Sequence, residues 1–269
     1  MTVDAVASPR RHDPTAGTPV LEVRDVRVHF GGVKAVDGIS IKLMPGLIYG
    51  IIGPNGSGKT TLIGAVTRLT KLTSGKLLFD GEEYQSIPAS AVARKRVART
   101  FQTVRLLPDL NVKDNIQLGA DARKLGDGQP FLRRVLNRGT SPAVAEAVER
   151  TNLRGFETFY PSELSYGTQR RVEIARAMVT DPRLLLLDEP TAGMNQHERA
   201  EISALLRDLR SEGLCQLLVE HDVQMMLDTC DHVFVMNFGK LIAEGTPEDV
   251  VRAPQVQEAY LGRKWREHA

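Results

Sequence analysis

The chain has 269 residues, of which 42% are hydrophobic and 25% are charged, a size and composition suited to one or two globular domains with a sizeable core. Lys and Arg total 35 against 33 Asp and Glu, and the net charge of +2 gives no reason to expect a nucleic-acid partner. Cys215 and Cys230 lack metal-ligand spacing and are expected to be reduced thiols. No apolar run reaches the ~20 residues of a membrane span, and residues 1–19 are expected to be a disordered leader, not a secretory signal.

Strand patterns dominate the chain from Val20 to Phe79. The alternation of apolar and polar residues in LEVRDVRVHF and in GISIKL predicts two half-buried strands. The nearly unbroken apolar run LIYGIIG predicts a strand that is buried on both faces. A helix is expected from Lys59 to Leu69, followed by a short strand from Lys76 to Phe79.

The middle of the chain, from about Ser90 to Glu163, has helical spacing in SAVARKRVART, VKDNIQLGADARKL and SPAVAEAVERTNL, and we predict a helical insertion there. Helices and strands then alternate, with helix TQRRVEIARAMVT, strand RLLLLDEP, helix QHERAEISALLRDLRSE, strand CQLLVEHD and the short helix VQMMLDTC. A final hairpin is expected to turn at 237–239. Strands separated by helices of this length predict a parallel sheet.

The segment GPNGSGKT, Gly53 to Thr60, matches the phosphate-loop pattern G-x-x-x-x-G-K-S/T at every required position. It lies between a predicted buried strand and a predicted helix, which is the context that such a loop requires. Glycines allow backbone N–H groups to turn toward a β-phosphate, beside the positive end of the helix. Lys59 would add a charge between the β- and γ-phosphates, and the Thr60 hydroxyl would be placed for Mg²⁺. The segment predicts a site for ATP and Mg²⁺.

Two carboxylates, Asp188 and Glu189, follow the predicted strand RLLLLDEP, at the end of the strand where open α/β sheets place their ligands. Asp188 is expected to hold Mg²⁺ through water, and Glu189 to polarise the attacking water. Such carboxylates alone would more often cap a helix, but the phosphate loop in the same chain favours catalysis. His221 follows the next buried strand; a lone histidine is usually structural, yet at this sheet edge it is a candidate γ-phosphate contact.

A second candidate anion site lies far from the phosphate loop in sequence. In LSYGTQRR, a Ser and a Gly stand just before a predicted helix, where side chains and free N–H groups can receive an anion. The simplest interpretation is a helix capped by Ser165. The presence of two anion sites in one chain requires a further explanation.

These motifs, taken in order, resemble one family. GPNGSGKT, then Phe101-Gln102, LSYGTQ, LLLLDEP and a histidine one strand later are similar to the nucleotide-binding subunits of ABC transporters, over about residues 20–262. The resemblance implies that such subunits dimerise head to tail, with each ATP between the phosphate loop of one subunit and the LSYG segment of the other. Ser165 and Gly167 would then contact the γ-phosphate of an ATP held by the partner, which explains the second anion site.

The resemblance also implies roles for individual residues. Phe30 is expected to stack on adenine, and Gln102 to touch Mg²⁺ and the attacking water while sensing the partner. The catalytic residues implied are Lys59, Gln102, Glu189 and His221, and the Mg²⁺ ligands are Thr60, Gln102 and Asp188. Nucleotide contacts are implied for Phe30, Val36, Gly53, Pro54, Asn55, Gly56, Ser57, Gly58, Lys59, Thr60, Thr61, Ser165, Gly167 and Gln169.

The family resemblance implies an α/β P-loop ABC cassette, in which a mostly parallel sheet core is joined by an antiparallel β subdomain and a helical subdomain. We predict a leader at 1–19 and a single nucleotide-binding domain at 20–269. Its RecA-like core is expected at about 20–95 and 168–250, its helical subdomain at about 96–167, and a C-terminal tail at 251–269.

Two positions depart from the usual family pattern. Tyr166 stands where most members have Gly, and Asn195 where many have Asp. Together with QRRVEIARAM, VARTFQTVRLLPDLNVKDNI and the closing AEGTPEDVV, these departures resemble the ATPases of branched-chain amino-acid importers and their urea and amide relatives. We therefore interpret them as marks of that subgroup rather than as lost activity.

The subgroup implies the energy-coupling ATPase of an importer for branched-chain or other hydrophobic amino acids. Its expected partners are transmembrane permease subunits, a second ATPase in a homodimer or heterodimer and, indirectly, an external solute-binding protein; its expected place is the cytoplasmic face of the membrane. The alternatives are a urea or amide importer, an exporter or lipid-extraction complex, and a soluble ABC ATPase outside transport. The last usually has two cassettes or a long coiled coil, and this chain has one cassette and no long heptad run.

The stretch TVRLLPDLNV, Thr103 to Val112, places Val104, Leu106, Leu107 and Leu110 beside a proline in an expected surface loop. Apolar residues displayed on a loop suggest a docking groove for the membrane partner. Local packing beneath the loop is the alternative. The Arg-rich FLRRVLNR, 131–138, is expected to be a solvated basic face, with contact to anionic headgroups as the alternative.

Overall fold

The computed structural model describes residues 17–124 and 141–261. The predictions for most of the leader, for the Arg-rich stretch at 131–138 and for residues 262–269 lie outside these residues. Within them, no helix combines the length and the apolar character needed to cross a bilayer. The thiols of Cys215 and Cys230 are both free and buried in the core.

The described residues form two sheets. In chain order the strands are β1 (Leu21–Phe30), β2 (Val33–Leu43), β3 (Ile48–Ile52), β4 (Ser74–Phe79), β5 (Glu82–Glu83), β6 (Val97–Arg99), β7 (Leu184–Asp188), β8 (Cys215–Val219), β9 (His232–Asn237) and β10 (Lys240–Gly245). The larger sheet has the order β10-β9-β3-β8-β7-β6, and all its neighbouring strands are parallel except the β9–β10 hairpin. The smaller sheet, β2-β1-β4-β5, is antiparallel.

The helices are α1 (Lys59–Val66), α2 (Ala89–Val92), α3 (Val112–Lys124), α4 (Pro142–Arg150), α5 (Tyr166–Met178), α6 (Gln196–Ser211), α7 (Val223–Thr229), α8 (Pro247–Arg252) and α9 (Pro254–Val256). One π-helical turn follows at Gln257–Leu261, and the described residues also include 3₁₀ turns at Ala93–Lys95 and Pro161–Glu163. Strands β3, β7 and β8 are buried along their whole length, which is why their sequences show no alternation.

Three hydrophobic clusters hold these elements together. One lies between the small sheet, α1 and one face of the large sheet, and a second packs α6 and α7 on the opposite face. The third joins α3 and α4 to α5 through residues that include Ile116, Val148 and Val172. Because α5 contributes Ile174 and Met178 to the second cluster as well, it packs between the large sheet and the α3–α4 pair.

The predicted α/β architecture is confirmed, including the parallel sheet, the antiparallel sheet and the terminal hairpin. The helical interpretation of SAVARKRVART is wrong for its second half. Its helix ends at Val92, Arg96 has a left-handed φ of 61°, and Val97–Arg99 becomes the edge strand β6, paired in parallel with β7. Tertiary pairing overrides the local pattern here. The subdomain boundaries proposed above stay predictions.

Candidate nucleotide site

The phosphate loop, residues 53–60, connects the buried strand β3 to the first turn of α1. Gly53 and Gly58 have φ angles of 154° and 105°, and a Cβ at either would lie 2.1 Å from a backbone oxygen, that of Met236 or of Ala35. Only glycine therefore fits at these two positions. Gly58 is the N-cap of α1, so the loop wraps around the positive end of that helix.

Lys59 lies inside the loop, with 7% of its surface exposed. Its Nζ donates hydrogen bonds to the carbonyl oxygens of Gly53 at 2.8 Å and Pro54 at 3.1 Å. Burial lowers the pKa of this ammonium, while the charges of Glu189 and Asp188 partly oppose that effect. The Ser57 hydroxyl beside it is buried and has no hydrogen-bond partner in the described part of the chain. A buried cation and an unsatisfied hydroxyl in one cradle make a site suited to an anion with several oxygen atoms.

Asp188 ends strand β7 with a carboxylate that is almost completely buried. Its one ion pair among the described residues is with Arg99, whose Nη2 lies 2.9 Å from Oδ2. Arg99 reaches Asp188 from the adjacent edge strand β6, and its guanidinium also lies over the ring of Phe101, 5.2 Å from the centroid. Sequence analysis missed Arg99, because the short strand that positions it was not predicted.

Glu189 follows Asp188 and turns its carboxylate toward two polar side chains. Its backbone has a φ of 49°, unusual for a residue with a side chain, and its N–H donates to the carbonyl of Val219 on strand β8. The amide of Gln102 donates to Oε2 at 2.6 Å, and Nε2 of His221 lies 3.1 Å from the same oxygen. The three residues come from the ends of adjacent strands, so the sheet edge brings together the glutamate, glutamine and histidine that sequence analysis proposed.

A buried carboxylate beside this cluster was also missed. Glu220 precedes His221, and its Oε1 accepts hydrogen bonds from the backbone N–H and the hydroxyl of Thr191, at 3.0 and 2.8 Å. Burial raises the pKa of Glu220, and the two bonds from Thr191 oppose the rise. Glu220 thereby ties the turn after Glu189 to the segment that carries His221. A glutamate next to a buried strand was the available sequence signal.

The LSYG segment forms the start of helix α5. Ser165 is the N-cap, and its hydroxyl accepts from the N–H of Thr168. The N–H of Gly167 donates to Oε1 of Glu198, on the first turn of α6, at 3.1 Å. Tyr166, one of the two departures, places its ring 5.9 Å from the Arg170 guanidinium, and Asn195, the other, caps α6 by accepting from the N–H of Glu198.

Arg170, on α5, is the largest side chain that is fully buried among the described residues, and sequence analysis did not single it out. Its two terminal nitrogens donate to the carbonyl oxygens of Phe101 and Gln102, both at 2.6 Å. It also pairs with the buried Glu173, one turn later; burial raises the pKa of that carboxyl and the charge of Arg170 opposes the rise. The start of α5 is therefore fastened to the loop that carries Gln102.

Several other proposed nucleotide contacts lie where a ligand can reach them. Phe30 is 56% exposed at the end of β1, and Asn55, Gly56 and Thr60 are exposed on the loop. Pro54 and Thr61 are half-buried. Two residues are placed differently: Val36 is completely buried in the core, and the Gln169 amide donates to the carbonyl oxygens of Pro161 and Leu164. Gln169 is half-buried. The nucleotide contacts proposed for Val36 and Gln169 stay predictions.

Comparison with known proteins agrees with this geometry. The family described as ABC transporter matches residues 36–192, and the family described as branched-chain amino acid ATP-binding cassette transporter matches residues 240–265. The chain is 41% identical to the high-affinity branched-chain amino acid transport ATP-binding protein BraF of Pseudomonas aeruginosa, an alignment that covers 91% of this chain and 98% of that protein. It is 39% identical to LivG of Escherichia coli K12, with the same coverage.

Relatives of lower identity include a protein named for a different transport system and two solved cassettes. The lipopolysaccharide export ATP-binding protein LptB of Haemophilus influenzae is 33% identical, over 92% of this chain and 99% of LptB. Among solved structures, the ADP conformation of an ATP-binding cassette of an ABC transporter has a TM-score of 0.80 and 30% identity, covering 92% of this chain and all of that one. A nucleotide-free cassette from an ABC transporter has a TM-score of 0.78 and 31% identity, over 91% of this chain and 100% of its own.

A phosphate loop, a buried aspartate and a glutamate–glutamine–histidine cluster at one edge of a parallel sheet define a nucleotide-binding cassette. The match to the family model and the nearly full-length alignments with the relatives identify the family. The chain belongs to the ABC transporter family as an ATP-binding subunit and is an ATPase.

Proposed function

We propose that this chain is the ATP-hydrolysing subunit of an importer for branched-chain or other hydrophobic amino acids. The observation that carries the hydrolytic part is the convergence of Gln102 and His221 on one carboxylate oxygen of Glu189, at 2.6 and 3.1 Å. The substrate class is supported by the subgroup of the relatives and by the match of residues 240–265. The solute itself would never touch this subunit.

ATP is proposed to bind with its adenine on Phe30 and its phosphates in the loop. The backbone N–H groups of the loop and the start of α1 would hold the β-phosphate. Lys59 would exchange its hydrogen bonds to the neutral carbonyl groups of Gly53 and Pro54 for bonds to phosphate oxygens. Its positive charge would then be paired with a negative one. The buried Ser57 hydroxyl would gain a partner. The proposed contacts are Phe30, Gly53, Pro54, Asn55, Gly56, Ser57, Gly58, Lys59, Thr60 and Thr61.

The residues at the sheet edge fit Mg²⁺, which is commonly held by one or two side chains together with substrate phosphates. The donor set available is the Thr60 hydroxyl, the Gln102 amide and the Asp188 carboxylate. Within residues 17–124 and 141–261, the ion-pair partner of the buried Asp188 is Arg99, so a cation is already accommodated at this position. When bound, the ion would neutralise charge on the phosphates. The ion pair with Arg99 uses Oδ2 of Asp188, so Oδ1 would be the oxygen offered to the ion or to its water.

Glu189 is proposed as the residue that polarises the attacking water. Only 14% of its side chain is exposed. Among the described residues, the amide of Gln102 donates to Oε2, and the imidazole of His221 lies beside the same oxygen. The carboxylate is thus held in one orientation, with Oε1 left for a water molecule. His221 would contact the γ-phosphate, which would lie between it and Lys59. Because Gln102 contacts Glu189 directly, a change in the position of Glu189 on ATP binding would move Gln102 and the loop that follows it.

A second copy of this chain or a related ATPase is proposed to complete the site. Ser165 and Gly167 hydrogen-bond with Thr168 and Glu198 in the same subunit and belong to the start of α5. In a head-to-tail dimer these groups would face the γ-phosphate of an ATP on the partner's phosphate loop. The rigid connection from α5 through Arg170 to Gln102 would then link the two composite sites.

The permease is proposed to dock on the loop at 103–111. Leu107 is 48% exposed, and its N–H and carbonyl are both held by the buried Asn115 of α3, at 2.8 and 3.1 Å. An apolar side chain presented on a fixed backbone suits a docking surface. Leu106 packs instead against the third hydrophobic cluster, so local packing is the better explanation for that residue.

This docking would place the chain on the cytoplasmic face of the membrane, with permease subunits as direct partners and a solute-binding protein as an indirect one. The test is co-purification of the chain with its membrane partners, followed by a panel of labelled solutes. Uptake of leucine, isoleucine or valine that requires ATP and this chain supports the proposal. Uptake of urea or short amides instead supports the second candidate, and outward lipid movement supports an exporter like the system of the LptB relative.

A further inference from the structure

A carboxylate of the same chain occupies the anion site at the start of α5. Oε1 of Glu198 accepts the N–H of Gly167 at 3.1 Å, and Oε2 accepts the N–H of Asn195 at 3.2 Å. Hydrogen bonds from these two backbone N–H groups lower the pKa of Glu198, and the Ser165 hydroxyl contributes to the lowering. The carboxylate therefore uses the same donors, Gly167 and Ser165, that the proposed dimer offers to the partner's γ-phosphate.

We propose that Glu198 is an internal substitute for this γ-phosphate, which holds the start of α5 in the separate subunit and must leave when the dimer closes on ATP. This inference rests on the proposed head-to-tail site. Two anions cannot share one N–H group, and both would lie in the field of the same helix N-terminus. ATP-driven closure would therefore compete with the Glu198 contact. Displacing Glu198 costs free energy, so a higher ATP concentration would be needed to close the dimer.

The packing shows that this contact is specific. The arm of Glu198 crosses directly over Gly167, so that a Cβ on that glycine would lie 3.1 to 3.2 Å from its Cγ, Cβ and Oε1. Glu198 is also half of a capping box on α6, in which Asn195 accepts the N–H of Glu198 and Glu198 accepts the N–H of Asn195. One side chain thus bridges the start of α5 to the segment that follows Glu189. Movement of Glu198 away from Gly167 would therefore also shift Asn195 in that segment.

A purely structural cap is the competing explanation, and it predicts the opposite sign. If Glu198 only stabilises the starts of α5 and α6, its neutralisation would loosen both helices and weaken dimer closure. If it competes with the γ-phosphate, its neutralisation would favour closure. The variant Glu198→Gln separates these outcomes. The one carbonyl oxygen of glutamine can keep the capping bond to Asn195, while the negative charge and the acceptor that faces Gly167 are both lost.

The experiment uses full-length chain carrying Glu189→Gln, which slows hydrolysis, and follows ATP-driven dimerisation by sedimentation velocity. Adding Glu198→Gln is expected to lower the ATP concentration at half-dimerisation by roughly fivefold to tenfold, the scale of a charge-assisted bond at a helix N-terminus. The matched control is Glu201→Gln, one turn further along α6, which removes the same charge; Glu201 contacts His197 and Arg171, not Gly167. For this control, the ATP concentration at half-dimerisation is expected to stay within about twofold of the parent's value.

A second variant guards against misfolding. Glu198→Asp keeps the charge but shortens the arm, and it is expected to give a midpoint between those of the parent and Glu198→Gln. Equal midpoints for Glu198→Gln and Glu201→Gln, or a midpoint above the parent's with thermal melting unchanged, would overturn the inference and leave the proposed dimer standing. A Glu189→Gln parent that binds ATP but never dimerises would overturn the head-to-tail proposal and the inference together.

Discussion

The side-chain amide of Gln102 lies 2.6 Å from Oε2 of Glu189, although 87 positions separate the two residues in the chain. Strands β6 and β7 lie side by side in the sheet, and each of the two residues follows the end of one of them. The loop that leads toward the proposed docking surface is thus in direct contact with the proposed catalytic carboxylate. A shift of that loop on docking would move the donor that orients Glu189.

The first prediction concerns Glu189. Glu189→Gln keeps the shape of the side chain, and its oxygen can still accept from Gln102, but an amide cannot polarise water. ATP binding is expected to remain, while steady-state hydrolysis falls on the order of 10²–10⁴-fold. Binding is measured with a fluorescent ATP analogue and hydrolysis by phosphate release. A loss of less than about tenfold would mean that another group activates the water.

The second prediction concerns Arg170, which is completely buried. Arg170→Met leaves the carboxylate of Glu173 and two loop carbonyl groups without their donor, and breaking such a buried pair costs about 3–5 kcal/mol in free energy of unfolding. The double variant Arg170→Met/Glu173→Leu is expected to recover much of this stability, but not the ATPase rate, since no buried carboxylate is left without its main partner. Arg176 loses a 3.9 Å contact with Glu173 but keeps its hydrogen bond to the carbonyl of Arg105. Urea denaturation and ATPase assays measure the two effects.

The control for Arg170 is its neighbour Arg171. Only 15% of that side chain is exposed, but its pairing with Glu201 is a loose 3.8 Å, and its bonds go to Asn152 and Thr168 rather than to the loop of Gln102. Arg171→Met is expected to reduce stability by about 1 kcal/mol and to leave the ATPase rate within a few-fold. Equal rate losses for the two arginine variants would remove Arg170 from the connection between α5 and Gln102.

Sequence patterns predicted most of the fold because strands, helices and the phosphate loop can each be recognised within a short stretch of neighbouring residues. The phosphate loop lies between a buried strand and a helix, and strands β3, β7 and β8 each show an unbroken apolar run. Gly53, Lys59 and Glu189 could be proposed for the same reason. The tie of Arg170 to the loop and the Glu198 contact could not, because their partners lie 68 or 69 and 31 positions away. Strand β6 was missed since three residues carry little pattern without their partner strand.

The third prediction tests whether the site is shared between subunits. Tagged chains are mixed so that one subunit carries Lys59→Ala and the other Ser165→Asp, which keeps a good helix cap but repels phosphate. In a head-to-tail dimer this arrangement damages one composite site twice and leaves the other intact. Both changes in one subunit, paired with an unaltered partner, damage both sites. ATPase activity is expected to be several-fold higher in the first arrangement. The reverse order would argue for self-contained sites, and equal activities would count against the head-to-tail site.

The fourth prediction is a pH dependence that comes from Glu220. Burial raises its pKa above the ordinary 4.5, so the folded chain holds this proton to a higher pH than the unfolded chain does. Across that window the folded state binds more protons, and the contribution of Glu220 to stability therefore falls as pH rises. Glu220→Gln keeps an oxygen for Thr191 and has no proton to lose.

The measurement for Glu220 is urea denaturation of the parent and of Glu220→Gln at several values between pH 5 and pH 8. The difference in free energy of unfolding, variant minus parent, is expected to increase with pH, because only the parent pays for an ionised buried carboxyl. An exposed glutamate such as Glu146, changed to Gln, supplies the reference difference. A Glu220 difference that is flat with pH, like that of Glu146, would contradict the prediction.

The fifth prediction concerns the proposed docking surface. Leu107→Asp places a charge on a half-exposed side chain whose backbone is held by Asn115, so the loop is expected to keep its shape and the chain its stability within about 1 kcal/mol. ATP binding by the isolated chain should be unchanged, because the phosphate loop starts from a different strand.

Binding to membranes that contain the permease is expected to fall at least tenfold, since a charge in an apolar contact must be desolvated on docking. Leu69→Asp is the matched control: Leu69 is 62% exposed just beyond α1 and belongs to a different segment of the chain, so this variant should leave sedimentation with those membranes and solute uptake intact. Normal sedimentation and uptake by the Leu107 variant would place the docking surface elsewhere on the chain.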